Sequence, residues 1–181
     1  MRLYTTHNLL KTSNACQPGF ERFTIREALI EQGYTDDSIL LLSLILEVNG
    51  LDDALWSLRA VPPEQSAERN KIARLFACDC AEHVLPIYEA QHPGVWQPRV
   101  AVKAAREFAL GLISKEEMIR KGAEVRLAPK TRASLAARAT AKGIAHEAAV
   151  IAAQAASAAA NRKAECEFQA RRLMEYLTQG R

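Results

Sequence analysis

The sequence predicts an all-α protein, a single compact bundle of about seven or eight helices spanning residues 1–181. Three observations point there. Ala, Leu, Glu, Arg and Lys dominate, and these are good helix formers. Gly and Pro are sparse, at 8 and 7, and no stretch alternates apolar and polar residues as a half-buried strand does. Apolar residues instead recur at helical spacing, most clearly over residues 71–90, KIARLFACDCAEHVLPIYEA. A chain of 181 residues can bury one sizeable core. With 49% hydrophobic and 25% charged residues it has a globular composition, not a disordered one.

The elements follow in order. Residues 1–23 read as an irregular N-terminal segment with a turn at Pro18-Gly19. Thr24 with Glu27 makes a capping box that opens a short helix, and Gly33 ends it. Thr35, Asp36 and Asp37 open DSILLLSLILEVNG, which is apolar nearly all round and therefore expected to be central and buried; Asn49-Gly50 stops it. LDDALWSLRAV is a third helix, ended by Pro62-Pro63. The main helix runs from about Ala67 to about Ala90, with Pro86 expected to kink it. After a turn at His92-Pro93-Gly94, Pro98 opens PRVAVKAAREFALGLI, whose apolar face is Ala101, Val102, Ala105, Phe108, Ala109 and Leu112. Ser114 with Glu117 makes a second capping box, opening SKEEMIRKGAEVR, and Pro129 breaks the pattern. Residues 24–128 thus form a helical core. In residues 133–160, 15 of 28 are alanine, which favours helix and lets backbones approach closely. This stretch reads as two helices joined or kinked near Gly143. A last amphipathic helix carries Phe168, Leu173, Met174, Tyr176 and Leu177 and ends at Gly180, completing an alanine-rich C-terminal part over residues 131–181.

Net charge is only +3, but it is divided. Residues 1–98 hold 8 basic and 13 acidic side chains, residues 99–181 hold 16 and 8. Such asymmetry marks either a binding face or two halves that attract each other. The opening MRLYTTHNLL lacks the long apolar core of a leader, and the apolar run over residues 39–46 is about half the ~20 residues a membrane helix needs. The four cysteines, Cys16, Cys78, Cys80 and Cys166, show no disulfide framework. A cytoplasmic protein with reduced thiols, no membrane and no cofactor is expected.

On the main helix, a step of about 100° per residue puts Ile72, Leu75, Phe76, Cys80 and Ile87 on one side and Lys71, Arg74 and Glu82 on the other. Asp79 and His83, four apart, fall inside the apolar stripe, where they can touch. They form either an oriented general base or a buried polar network in which Asp79 meets an arginine such as Arg59 or Arg106. Cys78 and Cys80 point about 200° apart, so both cannot hold one ion, and no metal is expected. Trp56 lies opposite Leu55 and Leu58 on its helix, as core or as a binding anchor; Trp96 is the other tryptophan. The stretch RKGAEVRLAPKTR has Arg120, Lys121, Arg126, Lys130 and Arg132 against one acid, a solvated loop or a contact for phosphates or an acidic protein surface. No P-loop, GxGxxG, HExxH or GxSxG motif occurs, so no catalytic residue is assigned.

Three segments, DDALWSLRAV, RLFACDCAEHVLPIYE and QPRVAVKAAREFALG, resemble in order and spacing the immunity proteins of bacterial polymorphic toxin systems. The resemblance covers about residues 51–160, and NACQPGFERF is similar to an opening motif of small phage and prophage proteins. Where the family often has Arg before Pro, this chain has Gln97-Pro98-Arg99. The resemblance implies a non-catalytic inhibitor that blocks a bacterial toxin or defence protein by occlusion. A nuclease or nucleoprotein complex is among the targets the resemblance implies, and phage anti-defence inhibitors such as anti-CRISPR proteins are of the same physical type. It carries Asp52, Trp56, Arg59, Asp79, His83, Arg99 and Arg106 onto this chain as partner-binding candidates. The alternative is a nucleic-acid-binding or regulatory module using the basic C-terminal half, and a homodimer stays open.

Overall fold

The structure is a computed structural model that describes residues 2–14, 33–142 and 144–179. The expected Pro18-Gly19 turn, the helix opened by Thr24, and Cys16, Gly143 and Gly180 lie outside the described residues. Helices dominate the rest: α1 His7–Thr12, α2 Leu42–Asn49, α3 Leu51–Ser57, α4 Ser66–Gln91, α5 Gln97–Ala109, α6 Lys115–Ala123, α7 Arg132–Thr140, α8 Ala145–Ala159 and α9 Arg162–Gln179. The fold is all-α.

Helix α4 is the axis. It packs against α5, α7, α8 and α9. Residues 72–81 are buried without a break, so its middle is enclosed on every side rather than along one stripe. The wheel misplaces three residues. His83, expected in the apolar stripe, is exposed. Ile87 is exposed, and Arg74 is buried. Arg74 Nη1 donates to the carbonyls of Thr140 at 2.6 Å and Lys142 at 2.9 Å, and its guanidinium lies 5.3 Å over the Phe108 ring. The end of α7 offers carbonyls with no intrahelical donor, and a cation is the side chain suited to them. Pro86 sits inside α4 on the exposed side. There water can serve the carbonyl of Glu82, whose donor proline removes.

The alanine-rich stretch becomes α7 and α8. Thr131 caps α7 through a reciprocal box: Ser134 N–H donates to Thr131 Oγ1 at 3.1 Å and Thr131 N–H to Ser134 Oγ at 2.9 Å. Ala148, Ala149, Ala152 and Ala156 of α8 are fully buried. Their small side chains let α8 lie close on α4 and α7, so density is reached through backbone approach instead of bulk.

The N-terminal expectations are corrected. Residues 1–23 are not irregular throughout, because α1 lies there and β1 (Tyr4–Thr5) pairs antiparallel with β2 (Leu40–Leu41). Helix α2 begins at Leu42 instead of near Asp37, since residues 40–41 are claimed by that ladder. Gln65 and Thr5 explain the strand. Gln65 Oε1 accepts from Tyr4 N–H at 3.1 Å, Gln65 Nε2 donates to the Arg2 carbonyl at 3.1 Å, and buried Thr5 Oγ1 donates to the Ala60 carbonyl at 2.7 Å. These tertiary bonds hold the chain extended against its apolar pattern. Helix α2 buries Leu42, Ile45 and Leu46 but exposes Val48, so it is a flank of the core and not its centre.

Candidate functional site

Asp79, within α4's buried middle, is the hub of a charged cluster. Its Oδ1 accepts from Arg106 Nη2 of α5 at 2.6 Å; its Oδ2 accepts from Arg172 Nε and from the Tyr176 hydroxyl of α9, both at 2.7 Å. Arg106 also holds Glu82 through Nε at 3.2 Å and Nη2 at 2.8 Å, and Arg172 Nη1 donates to Glu175. Burial opposes the charge on Arg106 and on Arg172. Asp79 and Glu82 together on Arg106, and Asp79 and Glu175 together on Arg172, outweigh it through hydrogen bonds and charge and hold both guanidinium groups above their ordinary value. Burial first, then the bond to Asp79, pushes the Tyr176 phenol up. Of the two arginines weighed as partners for Asp79, Arg106 takes that place. Arg59 does not; its guanidinium lies 4.8 Å over the Trp56 ring.

His83 goes elsewhere. Its Nδ1 is 2.6 Å from Glu165 Oε2, and its ring stacks on Phe168 with centroids 3.9 Å apart and planes within 9°. Glu165 is buried; its Oε1 accepts from Gln169 Nε2 at 2.9 Å, and the same nitrogen donates to the Ala153 carbonyl at 3.1 Å. The expected Asp79–His83 pairing is therefore replaced by two pairings to one helix. Asp79 meets residues 172 and 176 and His83 meets residues 165 and 168, so α9 runs antiparallel to α4. The sequence reading missed Glu165, Arg172 and the polar role of Tyr176. Their signal was spacing: Glu165, Phe168, Arg172 and Tyr176 fall at i, i+3, i+7 and i+11, one stripe of a helix.

This arrangement ties α5 and α9 to α4. Asp79 accepts three hydrogen bonds, two from guanidinium groups and one from a hydroxyl, out of about four that a carboxylate can accept. Cys78 and Cys80 are buried, and burial pushes Cys78 up to about 12 and Cys80 upward as well, so both stay protonated thiols. Among the described residues no group of three His, Cys, Asp or Glu is placed to hold a metal ion, and no helix is long and apolar enough to cross a membrane.

The other candidates lie on separate surfaces. Asp52, Trp56 and Arg59 line a cavity of about 640 Å³, walled on the far side by Val150 and Ala153 of α8. Arg99 forms a two-pronged pair with Glu89, both contacts at 2.7 Å. Trp96 is exposed. Of the basic stretch, Arg120 is paired with Glu117 at 2.7 Å and Lys121 with Glu107 at 3.3 Å. Arg126, Lys130 and Arg132 are exposed. Arg126 and Lys130 line a second concavity together with Arg138 and Lys142, which the sequence reading had not grouped with them.

A family model described as Imm-5 like putative immunity protein matches residues 65–174, from the start of α4 into α9. The match covers 110 of the 181 residues and takes in the whole Asp79 cluster apart from Glu175 and Tyr176. No curated protein and no solved structure matches the chain.

Proposed function

The chain belongs to this immunity-protein family, and on that footing we propose that it is a non-catalytic inhibitor that binds a toxin protein and blocks it sterically. The observation that supports the reading beyond membership is the Asp79 cluster. The carboxylate weighed as part of an Asp79–His83 acid–base pair holds α5 and α9 against α4 instead. What remains for function is a rigid surface, and a rigid surface binds without the cost of ordering.

In this reading Asp79 and Arg106 position the helices. Contact with the partner falls to side chains that face outward: the exposed His83 ring on its Phe168 support, and Trp56 with Arg59 and Asp52 at the cavity. Aromatic and arginine side chains on a fixed backbone are the usual anchors of tight interfaces. A phage-encoded block on a bacterial defence protein would use the same physics, but family membership favours a toxin as target. The test is co-expression in bacteria with toxin domains of polymorphic systems. Growth restored by the chain against one toxin, and not against unrelated ones, is the expected result. Growth arrest by every toxin at full expression of the chain would overturn the reading.

A further inference from the structure

We propose that the concavity between α6, the turn of residues 124–127, α7 and α8 is a docking groove for an acidic amphipathic segment of a protein partner, one that presents aliphatic side chains flanked by carboxylates. The proposal rests on the inhibitor reading and adds a second surface through which the partner is held, apart from the outward-facing side chains named there.

The groove encloses about 710 Å³. Its floor is aliphatic. Ile119 and Leu135 are 49% and 40% exposed on either side, and Ile151 lies beneath. Gly122 makes the depth possible: a Cβ there would sit 2.8 Å from Ala141 Cβ, so α6 reaches the end of α7 only because that side chain is missing. Four cations, Arg126, Lys130, Arg138 and Lys142, stand around the floor, and no acidic residue lines it. None of the four enters an ion pair among the described residues. The sequence agrees, since residues 125–146 contain five basic side chains and no acidic one. Five other cations, Arg99, Arg106, Arg120, Lys121 and Arg172, do have carboxylate partners.

A ring of like charges around exposed aliphatic groups is a surface with both of its interactions unmade. The cations repel one another, and the floor leaves apolar area in water. One occupant satisfies both, an apolar ridge that buries the floor with carboxylates on its flanks that meet the ring. Nucleic acid fits less well. Phosphates would serve the cations but have no use for an aliphatic floor, and no aromatic side chain lines the groove to stack a base.

The experiment is selection of random 16-residue peptides, displayed on phage, on the purified full-length chain at physiological salt with excess competitor DNA. Recovered peptides are expected to be net acidic, with Leu, Ile or Phe at regular spacing. Binding should weaken at least about tenfold in the K130E/R138E variant, as rim charges set encounter and orientation, and in a second variant, Leu135→Asp, both with the native melting transition. Recovery of no binders, of neutral or basic binders, or of binders indifferent to both variants overturns the proposal, as does displacement of the peptides by DNA. A chain that rescues cells from its toxin but ignores acidic peptides loses this groove and keeps the inhibitor reading. One that binds such peptides but rescues no cell does the reverse.

Discussion

Asp79→Ala should cost the fold at least about 3 kcal/mol, and the sum can be built from its partners. The substitution removes three short hydrogen bonds at once, from Arg106, Arg172 and Tyr176. Tyr176 is buried, and a stranded buried hydroxyl costs about 1–3 kcal/mol. The arginines lose less. Their side chains are 28% and 36% exposed, and each keeps a second carboxylate, Glu82 or Glu175. The penalty for each is therefore about 1 kcal/mol, well below the 3–5 kcal/mol of a fully buried pair broken on one side. With a urea slope of roughly 2–3 kcal/mol/M, the unfolding midpoint should fall by at least about 1 M. Tyr176→Phe alone should cost about 1 kcal/mol, because it removes one hydroxyl and strands nothing charged. The double variant should fall short of additivity by about 0.5 kcal/mol or more. An Asp79→Ala midpoint within about 0.5 kcal/mol of wild type, or strict additivity with Tyr176→Phe, would refute the hub.

Other substitutions probe separate parts of the account. Gly122→Ala gains helix propensity of about 1 kcal/mol but forces its Cβ against Ala141 at 2.8 Å, where overpacking costs about 1–3 kcal/mol; a lowered melting temperature is expected, and a raised one would show that α6 can move away freely. Tyr88→Phe should leave stability unchanged or raise it by up to about 1 kcal/mol, since the buried Tyr88 hydroxyl has no hydrogen-bond partner among the described residues; a loss above that in a urea titration would contradict it. Burial, with the nearby Arg69 and Arg59 charges, holds His146 below its ordinary value of 6.5. The unfolded chain then binds this proton more tightly, so the stabilisation is complete above about pH 6.5 and shrinks as pH falls toward the folded-state value. His146→Gln should flatten the stability profile below neutrality, and an unchanged acid limb would rule this histidine out as its cause.

Much of the helical frame was legible because its signals are local. The main helix, expected from about Ala67 to about Ala90, spans Ser66–Gln91. Pro62-Pro63 and Gly50 fall at helix boundaries, Ser114 caps α6 by accepting from Glu117 N–H, and the alanine-rich stretch divides into two helices. What failed to show was decided between elements. Arg74 reads as a surface residue on any helical wheel, and only the carbonyls at the end of α7 make it a core residue. Leu40 and Leu41 carry a helix-like apolar pattern, yet a short ladder to Tyr4 and Thr5 claims them. Asp79 is buried in the helix's middle as its place in the apolar stripe suggested, whereas His83 is exposed. Their spacing suggested each other, whereas α9, ninety residues on in sequence, supplies a partner to each. The groove was half visible: Arg126 and Lys130 belong to the basic stretch, but Arg138 and Lys142 join them only because α7 folds back beside α6.

The central claim, inhibition by stoichiometric binding, is tested most directly by titrating the purified chain into the toxin that it protects against while following the toxin's own activity. The account predicts a linear fall that reaches its end point at a fixed small-integer ratio, with a complex of the same ratio on gel filtration after nuclease treatment. Activity that persists at saturating chain, or a complex that dissolves when nucleic acid is digested, would contradict it.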